Sequence, residues 1–216
     1  GVPPCCAQRE IPDWVSQIRP DHPRLFFNSD TWPKVRERAL TVNRKYYEAM
    51  KAHADSTKPP AHWTDGRNVE PIPMPATRPG SAYWPADWGG HALSAAFVYR
   101  IEPSPELLKR IRDMLWATLD FFHACYDANM EATYYSTSRL GCLAAIDWVW
   151  DDLEPDERTQ LGLSILHHAD EAANKPGIVM CSGGGHTSGY YGARNMTLFT
   201  GGMASRSEEH TSELQS

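Results

Sequence analysis

The residues best suited to chemistry lie in one stretch near the end of the chain, GGGHTSGYYGARN at residues 183–195. A single histidine, His186, follows three glycines and precedes hydroxyl, aromatic, guanidinium and amide side chains. An imidazole exchanges protons near neutral pH, and glycines let the backbone approach a ligand closely. A helix that begins here would also favour an anion at its positive end. The same pattern fits a polar residue at the start of a buried helix, so it names no reaction by itself.

Other catalytic signatures are missing from the sequence. A phosphate loop needs Lys and then Ser or Thr after its last glycine, but Gly189 is followed by Tyr190 and Tyr191. His167 and His168 are adjacent and would point about 100° apart on a helix, which suits one metal ion poorly. Neither H-E-x-x-H nor G-x-S-x-G occurs. The sequence therefore predicts no metal site and gives no sign of a cofactor.

The composition is typical of a globular domain rather than of a nucleic-acid-binding or membrane protein. The 216 residues carry a formal charge of −6, and 41% of them are hydrophobic. An acidic balance does not favour nucleic acid, and no apolar run approaches the roughly 20 residues of a membrane span. The cysteines are spaced too irregularly for a disulfide framework or a zinc pattern. Three of them lie in apolar contexts and are predicted to be small core residues: Cys125, Cys142 and Cys181.

The first predicted helix follows Ser29 or Asp30, either of which could cap it, and has Pro33 in its first turn. Its apolar positions recur at helical spacing and comprise Val35, Ala39, Val42, Tyr46 and Met50. This stripe is expected to face the core. Residues 56–87, which follow, are rich in Pro and Trp and are predicted to form a long loop.

Further helices are predicted at residues 88–100, 106–125, 136–150 and 155–173, and another at 186–204. The helix 106–125 carries an apolar stripe formed by Leu108, Ile111, Leu115, Leu119 and Phe122. The helix 136–150 is nearly apolar all round and should be buried on most sides. Pro155 suits the first position of the helix that it starts, and the acids after it suit the helix dipole.

Weak strand signals and short connections predict an all-α fold, an array of antiparallel helical hairpins such as a bundle or toroid. Residues 1–29 are predicted to form an irregular N-terminal segment, and residues 30–205 the helical domain. The final stretch, RSEEHTSELQS at residues 206–216, resembles the translation of a short sequencing adapter and is predicted to be an artefactual tail. On that interpretation the helical domain is cut off before its end.

Three stretches occur in the same order as in a known enzyme family. They are HPRLFFNSDTWPKVRERA at residues 22–39, SRLGCLAAIDWVWDDLEPDERTQL at 138–161, and GGGHTSGYYGARNMTLFTGGMA at 183–204. Together they resemble the N-terminal helical region of the heparinase II/III-like polysaccharide lyases. The first is similar to the family's opening segment, the second to a helix pair with an Asp-Trp motif, and the third to a helix with a Gly-His motif.

The resemblance implies a fold, an activity and a partner. The fold would be an incomplete (α/α) toroid, truncated here before the β-sandwich domains of the family. The activity would be that of a carbon–oxygen lyase, which cleaves heparin-, heparan sulfate- or alginate-like polysaccharides by β-elimination. The partner would be this acidic polysaccharide, in a secreted or periplasmic setting. Since catalytic Tyr and His residues of the family would follow residue 205, the 216-residue chain is expected to be inactive alone.

The resemblance also implies site residues. His186 matches the cleft histidine of the family, although Gly185 and Gly189 stand where some members carry Asn or an acid, which leaves the sugar open. Substrate-binding residues are predicted close to His186 and in aromatic stretches upstream: Tyr190, Tyr191, Arg194, Asn195, Arg139, Tyr134, Tyr135, Trp84 and Trp88. Aromatic rings could stack on sugars and Arg139 could pair with a carboxylate or sulfate, but the upstream residues equally fit packing between hairpins.

Two other functions fit parts of the pattern. An α/α-toroid hydrolase of the unsaturated glucuronyl hydrolase kind would use an acid pair, and Asp147, Asp151 and Asp152 would then have to line its cleft. A non-catalytic helical carbohydrate-binding module would bind the polysaccharide without turning it over.

Overall fold

The computed structural model describes residues 17–58, 87–127 and 135–174, together with the short strands at 77–78, 81–82 and 131–132. This part of the chain is all-α, as predicted. Its helices are α1 (Trp32–Leu40), α2 (Arg44–Ser56), α3 (Trp88–Ile101), α4 (Pro105–Asp127), α5 (Tyr135–Val149) and α6 (Pro155–Asn174), with a 3-10 turn at Trp150–Asp152. Three two-residue strands, β1 (Thr77–Arg78), β2 (Ser81–Ala82) and β3 (Glu131–Ala132), pair in the order β1-β2-β3. The toroid remains a prediction.

The starts of the later helices follow local signals that the sequence carries. Pro105 opens α4, and the Ser104 hydroxyl accepts a hydrogen bond of 3.0 Å from the Leu107 amide. Pro155 opens α6, with Asp156 and Glu157 in the first turn. The start at Pro155 was predicted, because a proline loses no helical hydrogen bond at the first position, and the same reason applies to Pro105.

The first predicted helix is broken in two at residues 41–43. The Thr41 hydroxyl donates to the Glu37 carbonyl at 2.8 Å and ends α1 there, and Asn43 is the N-cap residue of α2. The predicted caps are wrong, since α1 begins at Trp32 after Thr31 and no side chain of its N-cap residue bonds to it. The carbonyl of the Asn28 side chain instead accepts from the amides just before the helix.

The break also changes which residues of the first stripe reach the core. Ala39 is buried as predicted, but Val42 and Tyr46 are 82% and 72% exposed. Tyr47 is buried in their place, and its hydroxyl donates to a carboxylate oxygen of Glu102 at 2.6 Å. The predicted core role of Val42 and Tyr46 is therefore wrong, because the turn shifts the face of α2 by one position.

The core lies between α3, α4 and α5. The stripe predicted for α4 is confirmed at Ile111, Leu115, Leu119 and Phe122, which are buried, while Leu108 is only partly covered. The helix α5 is buried on most sides, as predicted from its apolar sequence. Cys142 on α5 is buried, and burial raises the pKa of its thiol well above the usual range, so it is a core residue as predicted. The side chain of Cys125, and the whole of Cys181, lie outside the described residues.

Candidate functional site

Most of the predicted site residues lie where the structure gives no description. These are His186, Tyr190, Tyr191, Arg194, Asn195, Tyr134 and Trp84. Tyr135 opens α5, but its side chain is likewise outside the described set. Trp88 and Arg139 are the two predicted residues whose side chains the structure places. The role of His186 thus stays a prediction.

Trp88 and Arg139 are brought together by a close contact between the starts of α3 and α5. The Gly89 amide donates to the Ser138 hydroxyl at 3.0 Å. A Cβ atom added at Gly89 would lie 1.7 Å from the Ser138 carbonyl oxygen, and one added at Gly141 would lie 2.5 Å from the Gly89 carbonyl oxygen. The two backbones therefore touch where glycine leaves room for them. Trp88 and Arg139 are the chain neighbours of Gly89 and Ser138, so both lie at this junction.

The two side chains differ in how a ligand could reach them. Trp88 is partly buried and packs at the edge of the core. Arg139 is only 3% exposed. A guanidinium at that depth needs compensating partners, because removing its charge from water is costly. The guanidinium of Arg139 is therefore enclosed within the junction, whereas the indole of Trp88 is the more accessible of the two.

A histidine pair next to Trp88 was missed by the sequence interpretation. His91 lies in the first turn of α3 and His53 in the last turn of α2, and their Nδ1 and Nε2 atoms are 2.9 Å apart. The His91 ring also meets the Trp88 ring edge to face, with centroids 5.8 Å apart. The two histidines are 38 residues apart in the sequence, and no local pattern connects them. Only the packing of α2 on α3 reveals the cluster Trp88–His91–His53.

The electrostatics of this cluster favour a neutral imidazole at His91. Burial lowers the pKa of His91, the nearby charge of His53 lowers it further, and Asp87 opposes both effects. The hydrogen bond between the rings needs one nitrogen as donor and the other as acceptor, so it is lost if both rings are fully protonated. A neutral imidazole with an unshared electron pair can accept a proton from a ligand. His91 can therefore act as a proton acceptor near neutral pH.

The lowered pKa of His91 gives a first testable prediction. Below the ordinary histidine pKa of 6.5, the unfolded chain binds a proton at this position more readily than the folded chain. The contribution of His91 to the free energy of unfolding is thus fully present above pH 6.5. It is lost as the pH falls below 6.5 towards the lower pKa of the folded chain. We expect the Tm of the wild-type chain to fall between about pH 7.5 and about pH 5.5 more than that of His91→Asn.

The measurement is a pair of thermal melts at the two pH values, followed by circular dichroism. His167→Asn is a matched control, because His167 is an exposed histidine on α6. Equal pH slopes for the wild type and His91→Asn would show that His91 does not titrate in the folded state as described.

Asp147 has a structural role in the core and does not line a cleft. It is fully buried on α5, and one of its oxygens lies 2.6 Å from Nδ1 of His22. Its other oxygen accepts from the Arg24 and Leu25 amides at 2.7 and 2.8 Å. Asp147 is thus enclosed by the segment that precedes α1. The expectation of a cleft-lining acid pair is wrong for this residue, although Asp151 and Asp152 in the 3-10 turn are exposed.

The contact at Asp147 joins two of the motifs that the sequence resemblance singled out. His22 stacks on Trp150 with ring centroids 5.1 Å apart, and the Trp148 indole donates to the Leu25 carbonyl at 2.9 Å. We call these interactions, together with those of Asp147, the Asp147 clamp. It fixes residues 22–27 of the first motif onto residues 147–150 of the second.

Comparison with protein-family models, with curated proteins and with solved structures found no match to this chain. Among the residues that the structure describes, no group of three or more His, Cys, Asp or Glu side chains is arranged to hold a metal ion. No helix within the same ranges is long and apolar enough to cross a bilayer.

Proposed function

We propose that the chain is the helical region of a polysaccharide lyase that cleaves a uronic-acid-containing polysaccharide by β-elimination. The observation that carries the proposal is the cluster Trp88–His91–His53, where the end of α2 packs on the start of α3. It combines a proton acceptor with an aromatic surface that suits a sugar ring. The Asp147 clamp is a second support, because it makes one structural unit of two motifs that resemble the family.

The reaction has three chemical demands. The uronate carboxylate must be neutralised so that its C5 proton becomes acidic, and a base must remove that proton. As the C4–O bond breaks and a C4=C5 double bond forms, the departing oxygen must receive a proton from an acid. Stabilising the negative charge that develops on the carboxylate is the largest of these contributions.

Residues of this chain are proposed for individual steps of that reaction. His186 is the predicted group for proton exchange or carboxylate binding in the cleft. His91, whose pKa is lowered by burial, is a second candidate base, and His53 is its hydrogen-bond partner at 2.9 Å. Trp88 would stack on the ring next to the scissile bond. Cleavage of an extracellular polysaccharide is consistent with a secreted or periplasmic location.

The proposal is tested by kinetics on the complete gene product that contains this chain. General acid–base groups contribute about 10²–10⁴-fold to rate, so His186→Ala should lower kcat by at least about 100-fold. His91→Gln should lower it by about tenfold or more if the pair serves as base. The readout is the ultraviolet absorbance of the unsaturated uronide released from alginate or heparin.

His167→Gln provides the matched control, since it changes an exposed histidine on α6. Full activity in both the His186 and His91 variants would contradict the proposal. Binding of acidic polysaccharide without unsaturated product would favour the non-catalytic module, and a hydrolytic product would favour the hydrolase.

A further inference from the structure

A hollow of about 520 Å³ opens on the face of α1 and α2 and reaches down to α3. Its lining is mainly apolar and consists of Val35, Arg38, Ala39, Asn43, Tyr46, Tyr47, Met50 and Phe97. Most of the stripe that the sequence predicts to be covered by the core lies here. Tyr46 at its rim is 72% exposed. A surface hollow with a mainly apolar lining and a few polar groups is typical of a ligand-binding site.

The floor of the hollow is held rigidly. Phe97 packs edge to face on Trp32 and on Phe27, with ring centroids 5.8 and 6.5 Å apart. Tyr47 is buried and fixed by its hydrogen bond to Glu102. A ligand that binds here would therefore meet a preformed surface, which lowers the entropic cost of binding.

The helices around the hollow are basic, although the whole chain is acidic. Residues 31–53 contain six Lys and Arg residues against two Glu, whereas the full chain carries −6. Arg44 pairs with Glu48, and Lys51 pairs with Glu102. Within the described ranges, the exposed guanidinium of Arg38 forms no ion pair or hydrogen bond while it lines the hollow. The charge of this face therefore suits an anionic ligand.

We propose that the hollow is a binding site for an acidic oligosaccharide, whose lining shares no residue with the cluster Trp88–His91–His53. Tyr46 stacks on a sugar ring, Arg38 pairs with its carboxylate or sulfate, and the Asn43 amide meets its hydroxyls. The volume lies within the roughly 300–1,000 Å³ of small-ligand sites, whereas a helical peptide needs a longer groove with anchors over several turns. The site holds the polymer and takes no part in elimination chemistry, so it stands without the proposed lyase activity.

Calorimetric titration of the 216-residue chain tests the proposal with defined probes. The acidic probe is an oligogalacturonate tetrasaccharide, and the neutral probe is a cello-oligosaccharide of equal length. A charge-assisted hydrogen bond contributes enough for Arg38→Gln to weaken binding of the acidic probe by about tenfold or more. Tyr46→Ala should weaken it by a similar factor through the lost stacking. Both side chains are exposed, so unchanged Tm values are expected for both variants.

Lys34→Gln is the matched control, because it removes one positive charge from an exposed position on α1 that does not line the hollow. It should weaken binding less than about twofold. Equal losses for Lys34→Gln and Arg38→Gln, or equal affinity for the neutral probe, would overturn the proposal. So would self-association of the chain that is abolished by Tyr46→Ala, or tighter binding of an acidic peptide. The titration measures binding without turnover, so its failure is distinct from a failure of the lyase proposal.

Discussion

Replacing Asp147 with Asn should lower the free energy of unfolding by about 1–3 kcal/mol, the cost of leaving one buried hydrogen-bonding group of this network unsatisfied. The carboxylate is fully buried and accepts hydrogen bonds from the Arg24 and Leu25 amides, while its other oxygen contacts His22. An amide has only one acceptor oxygen, so at least one of these groups would face an N–H donor. Each buried group left unsatisfied costs about 1–3 kcal/mol.

Urea denaturation of the wild type and of Asp147→Asn, followed by tryptophan fluorescence, measures this difference. Asp151→Asn is the control, because Asp151 is an exposed carboxylate four residues further along the chain. It should change the free energy of unfolding by less than about 0.5 kcal/mol. A loss below about 1 kcal/mol for Asp147→Asn would contradict the Asp147 clamp as a structural element.

The second large effect is expected at the contact between α3 and α5. Gly89→Ala places a methyl group 1.7 Å from the Ser138 carbonyl oxygen, which belongs to backbone and cannot rotate away. Overpacking costs typically about 1–3 kcal/mol, and the better helix propensity of alanine returns only about 1 kcal/mol. Because the two helices must separate, we expect an overpacking cost at the top of that range and therefore a net loss of about 2 kcal/mol.

The neighbouring Gly90→Ala makes the same chemical change with a smaller expected effect. Its added methyl group would meet the Asp87 carboxylate, a side chain that can turn aside. Asp87 would then lose its cap bond to the Gly90 amide, at a cost of about 1 kcal/mol, and the helix propensity of alanine would offset that loss. Chemical denaturation of both variants checks the difference. Equal stabilities would mean that α3 and α5 do not approach as closely as described.

Features of the fold that depend on a few neighbouring residues could be predicted from the sequence. Pro105 and Pro155 mark helix starts by their own backbone chemistry, and the apolar run of α5 predicts its burial without knowledge of its partners. The break at residues 41–43 could not be predicted in the same way. The apolar period continues across it, and only the packing of Tyr47 against α3 decides which face of α2 is covered.

The candidate site was harder to predict, because its members are distant in sequence. Asp147 carried a usable signal, since a lone carboxylate within an apolar helix is most often buried and paired. The sequence interpretation assigned it a possible role as a catalytic acid, and the structure shows it paired inside the core. His53 and His91 carried no such signal, because each is an ordinary residue within its own helix. Their meeting depends on how α2 packs on α3, which local patterns do not determine.

The Asp147 clamp has a consequence for how the chain acquires its structure during synthesis. His22 and its partner Asp147 are separated by 125 residues. At about 5–20 residues per second, the ribosome needs roughly 6–25 s to make the chain between them. Phe27 can therefore meet Trp32 and Phe97 as soon as α3 has emerged. The contacts of His22, Arg24 and Leu25 with residues 147–150 form only after α5 has left the exit tunnel.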